Sequence, residues 1–301
     1  MTLQSSGAIT LAQIAAEFGG STPHSLSEYY RGGANVPSSV TQVPASGAID
    51  FADFYGTSAA ITAAVTSSTT NRNVSTIFGS NFTANVAKVL EINSGVEVGA
   101  SSLSNYAINV PSGMGGTLTI QNAGTLSGAG GDGSSSGTGG TGGTAIYIAS
   151  NNVTVTNTGT IRGGGGGGGK GANGSPGASS NVSGIFCCYG GPGGGGGAGG
   201  NGQGYDQSQS GGSNGSPGGA KYATQCNDPG VGPSIIECDA QGIYSNGSPG
   251  SAGGAGGNYG VVGSQGGGSG SPGGAAGRYI QLASGISYSL SNSGSLQGTA
   301  P

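Results

Sequence analysis

The chain has 301 residues, of which 72 are glycine and 12 are proline, and only 6% are charged. Seven basic residues and a formal net charge of −4 provide no clustered Lys and Arg for a polyanion, which argues against nucleic-acid binding. No apolar run approaches the roughly 18 residues that a membrane span needs, and we expect neither membrane insertion nor a secretory signal.

Residues 1–57 form the first predicted unit, a small helical module. Thr10 and Gln13 have the spacing of a capping box, which predicts a helix that ends at Gly19, and Ser25 with Glu28 predicts a second start. Residues 6–14 recur as residues 46–54, which suggests two similar turns that pack on each other. So small a core is marginal alone, and we therefore expect the module to dock on a partner. The predicted docking residues are Leu11, Ile14, Phe18, Tyr29, Tyr30, Phe51, Phe54 and Tyr55.

This module also carries a family resemblance. The stretch from Ile9 to Gly33, together with that from Ile49 to Gly56, resembles an N-terminal segment that recurs in tail and fibre proteins of tailed bacteriophages. The resemblance covers residues 7–56. It implies a structural protein of the virion, located in the tail or a surface appendage, and it assigns no catalytic residue.

Residues 58–162 have the pattern of short, alternating strands bounded by Gly, Asn and Ser. A repeat runs through them: the pattern that starts at Leu118 and passes through Asn122 and Gly124 returns from Val153, and returns again from Tyr288. Units that cannot bury their own apolar face stack on one another. We therefore predict a stacked β domain, solenoid-like, closed by the strands of residues 278–301.

Residues 163–277 interrupt this scaffold with 45 glycines in 115 residues, including seven in a row from Gly163 to Gly169. Glycine at every third position allows extended chains with three residues per turn to pack side by side through backbone hydrogen bonds. The runs stop after three or four triplets, which favours packing within one chain over a collagen-like triple helix. The predicted fold class is mainly β, with a small helical module, a stacked β domain and a polyglycine-II-like domain.

Turns and irregular segments alternate with these glycine runs. Asn-Gly-Ser-Pro-Gly recurs from Asn173, Asn214 and Asn246, and each copy predicts a turn. This alternation resembles the distal tail-fibre adhesins of T-even-like phages, in which polyglycine helices pack and loops at one end meet the host receptor. Aromatic rings on loops make good contact groups, although they equally fill gaps in a core. The predicted binding residues are Phe186, Tyr189, Tyr205, Tyr222, Tyr244 and Tyr259.

All four cysteines, Cys187, Cys188, Cys226 and Cys238, lie in the glycine-rich stretch. They are disulfide candidates with three pairings open, and free thiols remain an alternative. Their spacing lacks the paired ligands of a zinc site, so no metal is expected, and no cofactor is expected either.

The sequence favours a bacteriophage tail-fibre or tail-tip adhesin, non-enzymatic and acting outside the cell. Residues 1–57 would bind other virion tail or fibre proteins, and the glycine-rich region would contact a host receptor, either a glycan or an outer-membrane protein. A homotrimer is one arrangement considered. Two other functions stay open at this stage: a decoration or cement protein of the tail or capsid, and a glycan depolymerase with a pair of carboxylates.

Overall fold

The computed structural model describes residues 3–37, 40–182, 186–225 and 245–301. The fold is mainly β, with 17 strands and two short α-helices among these residues. The helices are α1, Leu11–Phe18, and α2, Val74–Phe78, and three 3₁₀ turns span Leu26–Tyr29, Phe51–Phe54 and Gly79–Phe82. None of the helices in these ranges has the length and hydropathy that a bilayer crossing requires.

The N-terminal segment builds a small aromatic core of its own. Helix α1 begins with the predicted capping box of Thr10 and Gln13, and a second box caps the turn at Leu26–Tyr29. Phe54 makes edge-on ring contacts with both Phe18 and Tyr29, with centroids 6.0 and 6.2 Å apart. The core is therefore held by side chains from both halves of the segment.

The internal repeat of this segment appears in its hydrogen bonds. Gly7 and Gly47 occupy equivalent positions in the two copies, and both have positive φ, +95° and +90°. Tyr55 donates its hydroxyl to the Gly7 carbonyl, and Tyr30 donates to the Gly47 carbonyl. The backbone amide of Gly56 also donates to the carbonyl of Gln4, at 3.0 Å, so the two copies contact each other as predicted.

Fourteen strands form three parallel sheets that wind as a three-sided solenoid. The first sheet has the order β1 (Ile61–Val65), β4 (Ala87–Ile92), β7 (Thr117–Asn122), β10 (Val153–Asn157) and β16 (Tyr288–Asn292). The second has the order β17 (Ser295–Gln297), β11 (Thr160–Arg162), β8 (Thr125–Ser127), β5 (Glu97–Gly99) and β2 (Thr69–Thr70). The third has the order β15 (Ile280–Leu282), β9 (Ile146–Ile148), β6 (Ile108–Val110) and β3 (Arg72–Asn73).

The sequence repeat sets the register of these sheets. Val153 lies beside Leu118 on one side and beside Tyr288 on the other, as the aligned repeats predict. Ile161 is placed in the same way between Leu126 and Leu296. Apolar residues at alternate positions point inward, and the core that they form is fully buried from Leu90 to Ile161 along the solenoid. The stacked β prediction is confirmed.

An asparagine ladder runs along one inner corner of the solenoid. Asn122 Nδ2 donates to Asn157 Oδ1, and Asn157 Nδ2 donates to Asn292 Oδ1, both at 2.7 Å. Asn122 is 1% exposed, and its own Oδ1 accepts no hydrogen bond from the described residues, because the neighbouring coil has Ile92 at this position. The ladder therefore has a direction, with each amide group donating to the following coil.

A short helical segment interrupts the strands that the pattern predicts for residues 58–162. Residues 74–82 are helical, as α2 and the following 3₁₀ turn, and Asn73 caps the start through a 2.9 Å bond from the Ser75 amide. Val74, Phe78 and Phe82 are 5% exposed or less and join the solenoid core. Five residues of helix are too few to leave a clear period in the sequence, which is why the pattern did not reveal it.

Candidate functional site

Two excursions leave the same corner of the solenoid, between the second and third sheets. One follows β8 and the other follows β11, and both return to the third sheet, at β9 and β15. Backbone hydrogen bonds with a three-residue period join their glycine-rich runs. The runs are residues 128–134, 137–143, 163–178, 190–204, 210–221, 245–258, 261–267 and 271–277.

The run of residues 163–178 lies at the centre and is hydrogen-bonded to six of the others. Three successive amides donate to three different neighbours: Gly167 to Gly140 at 2.8 Å, Gly168 to Gly200 at 2.7 Å, and Gly169 to Ser264 at 3.0 Å. Its carbonyls accept from the remaining three runs in the same rotation. A chain with three residues per turn presents its groups in three directions, which explains this arrangement.

Glycine is required here because the neighbouring backbones leave no space for a side chain. A Cβ on Gly167 would lie 1.9 Å from the carbonyl oxygen of Asp132, and one on Gly168 would lie 1.9 Å from that of Gly254. The runs thus form a body that is held by main-chain hydrogen bonds in place of an apolar core.

The direction of the runs gives this body two different ends. Residues 163–178 lead away from the solenoid, residues 190–204 lead back, residues 210–221 lead away again and residues 245–258 return. Fifteen residues at about 3.1 Å each place the far end roughly 46 Å from the solenoid. We call the far end, with residues 179–182, 186–189 and 222–225, the distal end, and the turns at residues 204–209 and 258–260 the proximal turns.

A small antiparallel sheet lies at the distal end. It consists of β12 (Ser180–Val182), β13 (Phe186–Tyr189) and β14 (Tyr222–Gln225), and Tyr189 pairs with Tyr222 across two of its strands. Tyr189 is 39% exposed. Three of the predicted binding residues, Phe186, Tyr189 and Tyr222, therefore belong to this end.

The remaining sequence predictions for the glycine-rich stretch concern Tyr244 and the four cysteines. Tyr244, Cys226 and Cys238 lie outside the described residues, and Cys187 and Cys188 lie on β13. The disulfide pairing stays a prediction with its alternatives open.

The two remaining predicted binding residues lie at the other end, on the proximal turns. The ring of Tyr205 lies against Gly99 at the end of β5, where a Cβ would be 1.9 Å from the ring. The next residue, Asp206, accepts a 2.8 Å hydrogen bond from the Gly130 amide. Tyr205 thus joins the glycine runs to the solenoid.

Tyr259 makes the second junction, with residues that the sequence did not single out. The guanidinium of Arg162 lies 3.7 Å from the centre of the Tyr259 ring. Arg162 also donates to Glu97 and to Ser127, each at 2.8 Å. Burial raises the pKa of Tyr259, and it outweighs the opposite effect of the Arg162 charge. We call Arg162, Glu97, Ser127 and Tyr259 the junction cluster.

The predicted docking residues fall into two groups by burial. Ile14, Phe18, Tyr29 and Phe54 are 7% exposed or less and build the core of the N-terminal segment. Leu11, Tyr30, Phe51 and Tyr55 retain exposed surface, and Phe51 is 39% exposed. Direct contact with a partner is therefore open to the second group, whereas the first group shapes the segment.

Comparison with known proteins identifies the family. A family model described as "Phage tail fibre adhesin Gp38" matches residues 60–301. The chain belongs to this family. None of the curated proteins matches the chain. Among solved structures, the chain is similar to one described as the gp37-gp38 adhesin tip complex of the bacteriophage S16 long tail fibre. That match has 20% identity and a TM-score of 0.42, and it covers 99% of this chain and 100% of the other.

Membership of the Gp38 family establishes the broad function. The chain is a phage tail-fibre adhesin, a virion protein that acts in attachment at the host surface, as the sequence predicted. The matched range contains the whole solenoid and all the glycine runs, and it begins after the N-terminal segment.

Proposed function

We propose that this Gp38-family adhesin contacts its host receptor with the distal end and is mounted on another tail-fibre protein through residues 1–57. The observation that carries the proposal is the direction of the glycine runs. It places the strands that carry Phe186, Tyr189 and Tyr222 at one end, roughly 46 Å from the solenoid. Tyr205 and Tyr259 are not part of the proposed receptor surface, because they pack against the solenoid.

The rigidity of the glycine runs suits this task. Loops on a rigid scaffold commonly carry binding residues, because the scaffold fixes their position and less conformational entropy is lost on binding. The runs next to the distal end are hydrogen-bonded to one another. The Gly177 amide donates to the Gly191 carbonyl at 2.8 Å, and the Gly191 amide donates to the Ser245 carbonyl at 3.1 Å. Host surface glycans and outer-membrane proteins are the proposed receptor classes.

Matched single substitutions test the location of the receptor surface. Tyr189→Ser removes a large exposed side chain at the distal end, whereas Val262→Ser removes one, 60% exposed, on a glycine run close to the solenoid. We expect Tyr189→Ser to slow adsorption of intact phage at least several-fold and Val262→Ser to leave it unchanged. Equal adsorption by both variants, with normal amounts of adhesin on the particles, would refute the distal location.

The proposed mount on a tail-fibre protein has its own test. The solved structure to which the chain is similar is described as a complex of two tail-fibre proteins, and the N-terminal segment here has its own core and an exposed Phe51. We expect Phe51→Ser to reduce the amount of adhesin on purified particles, while Thr62→Ser, at an exposed position on β1, has no effect. Undiminished adhesin on the Phe51→Ser particles would count against this segment as the mount.

We propose further that attachment involves no catalysis. The family is described by adhesion. The purified chain should release no oligosaccharide from host surface glycan over hours, and release of reducing ends at a rate proportional to adhesin concentration would instead establish a depolymerase.

A further inference from the structure

The last coil of the solenoid, formed by β16, β17 and the chain that leads into them, presents apolar side chains that earlier coils bury completely. In the two preceding coils the equivalent residues are 1% exposed or less: Leu118 and Val153, Ile120 and Val155, and Leu126 and Ile161. Their successors in the last coil, Tyr288, Leu290 and Leu296, are only partly buried. Stacked coils are normally closed by a unit with a polar outer face, whereas these three positions of the last coil are apolar.

The backbone of the last coil is equally open. Strands β16 and β17 are the outermost members of their sheets, each paired on one side only within the described part of the chain. Such edges present unpaired amides and carbonyls in the spacing of a parallel strand, and they accept a further strand from another chain. No charged residue lies on β16 or β17 to oppose this pairing.

The asparagine ladder adds a specific requirement. Asn157 Nδ2 has acceptors at Asn292 Oδ1, at 2.7 Å, and at the Ser295 carbonyl, at 3.3 Å, both in the following coil. Asn292 Nδ2 keeps only the contact to its own Gly294 carbonyl, at 3.3 Å, among the residues that the structure describes. Asn292 is exposed to solvent here, and a coil stacked on this end would bury its amide and would therefore have to supply an acceptor at this corner.

A second copy of this chain does not meet the requirement with its own first coil. That coil has Val65 in the column of the ladder, since Val65 pairs with Ile92 and Ile92 with Asn122. Valine offers no side-chain acceptor. Val65 is also 6% exposed and the helical residues Val74 and Phe78 are 5% or less, so this end of the core is already covered.

We propose that the last coil is a docking face for a parallel β coil of another tail protein, which extends the three sheets and supplies an Asn, Asp or Thr acceptor to Asn292. The inference rests on the mounting of the adhesin on a tail-fibre protein and adds a second contact surface to it, on the solenoid. The occupant covers Tyr288, Leu290 and Leu296 and pairs with the edges of β16 and β17.

Photo-crosslinking in intact virions identifies the occupant. p-Benzoylphenylalanine replaces Tyr288 on the end face, and in a control particle it replaces Ser289, which is exposed on the outer face of the same strand. We expect the Tyr288 probe to crosslink to one identified tail protein, at a segment with the alternating pattern of a strand, and the Ser289 probe not to do so. A crosslink to a peptide of this same chain, to a segment without that pattern, or at a yield no higher than the control overturns the proposal.

Substitutions measure whether the face contributes to assembly. Leu290→Glu places a charge on the end face, and Ser289→Glu places the same charge on the outer face. Asn292→Ala removes the exposed amide that ends the ladder, including the Oδ1 that accepts from Asn157. We expect the adhesin on purified particles to fall at least tenfold for Leu290→Glu and about threefold for Asn292→Ala, with Ser289→Glu unchanged. Full occupancy in both end-face variants overturns the proposal.

Two further readouts separate this proposal from the others. The soluble Leu290→Glu chain should remain folded by circular dichroism, with a lower melting temperature than Ser289→Glu because Leu290 packs on the core. It should bind host cells as well as the unsubstituted chain, because the distal end is untouched. Normal occupancy for Leu290→Glu together with loss of occupancy for Phe51→Ser would refute the end-face inference and leave the proposed mount through residues 1–57 intact.

Discussion

A single methyl group in the central glycine run should lower the stability of the whole body of glycine runs. In Gly167→Ala the new Cβ would start 1.9 Å from the carbonyl oxygen of Asp132. Ordinary contact requires that residues 128–134 move away by roughly 1 Å or more. Two hydrogen bonds join that run to the central one. The Gly131 amide donates to the Gly165 carbonyl at 2.8 Å, and the Ser134 amide donates to the Gly168 carbonyl at 3.1 Å. Both hydrogen bonds would lengthen beyond useful range.

The magnitude follows from these contacts. Overpacking of a tight interior costs about 1–3 kcal/mol, and each backbone hydrogen bond contributes about 0.5–1.5 kcal/mol net. We expect Gly167→Ala to lose about 3 kcal/mol of unfolding free energy. For a unit of this size that corresponds to a fall in melting temperature of about 6–12 °C.

Gly195→Ala is the matched control. Its nearest neighbour to an added Cβ is the Ser216 hydroxyl at 3.8 Å, so the methyl group fits without displacement. Alanine then stabilises by about 0.4–1 kcal/mol, because the unfolded chain loses freedom. The two variants have the same chemistry and differ only in the space around the methyl group.

The assay is thermal unfolding of the purified chain, followed by circular dichroism, with amide hydrogen exchange of the glycine runs at 25 °C. Gly167→Ala should speed exchange throughout residues 128–143 and 163–178, and Gly195→Ala should not. Equal melting temperatures for the two alanine variants would refute the argument. The body of glycine runs would then not be held together by main-chain packing.

Three other changes test the scaffold and the junction. Asn157→Ala should cost about 2–4 kcal/mol, because it removes a fully buried amide that accepts from buried Asn122 and donates to Asn292. Asn292→Ala, at the exposed end of the ladder, should cost under about 1 kcal/mol in urea unfolding. Arg162→Lys should loosen the proximal turn and speed amide exchange around Tyr259, because lysine keeps the charge but loses the planar fork; unchanged exchange would contradict a role for the junction cluster. Burial lowers the pKa of Lys88, so the unfolded chain binds more protons between that value and about 10.5, and stability from this group rises with pH in that window. Lys88→Met should abolish that rise, as urea titrations at several alkaline pH values would show, and it should destabilise at neutral pH by leaving three carbonyls without their donor.

The sequence revealed the solenoid where each coil carries the same signature. The column from Asn122 through Asn157 to Asn292 defined three coils and their register, because an inward asparagine and the following glycine make a recognisable corner. The first two coils have Val65 and Ile92 in that column, so the pattern did not connect them. Apolar periodicity indicates strands there but contains no information on which coil follows which.

The candidate site shows a different limit. Composition identified the glycine runs and the aromatic residues between them. It does not tell at which end of the body each turn lies. Tyr189 and Tyr205 flank the same glycine run, residues 190–204, and they lie at opposite ends of the body. Counting the runs from the point where the chain leaves the solenoid would have separated them, since alternate turns come back to the scaffold. The sequence did not indicate the role of Arg162, because its partners Glu97 and Tyr259 are 65 and 97 residues away in the chain.

The six neighbours of the central run restrict how the length of such an adhesin can change. One inserted residue would rotate every following amide by a third of a turn and point it at the wrong chain. Insertions are therefore tolerated only in whole triplets, made together in adjoining runs, and each step lengthens the shaft by about 9 Å. The distance of the distal end from the solenoid can therefore change only in fixed steps. The segments beyond the last triplet have no such restriction on size or composition.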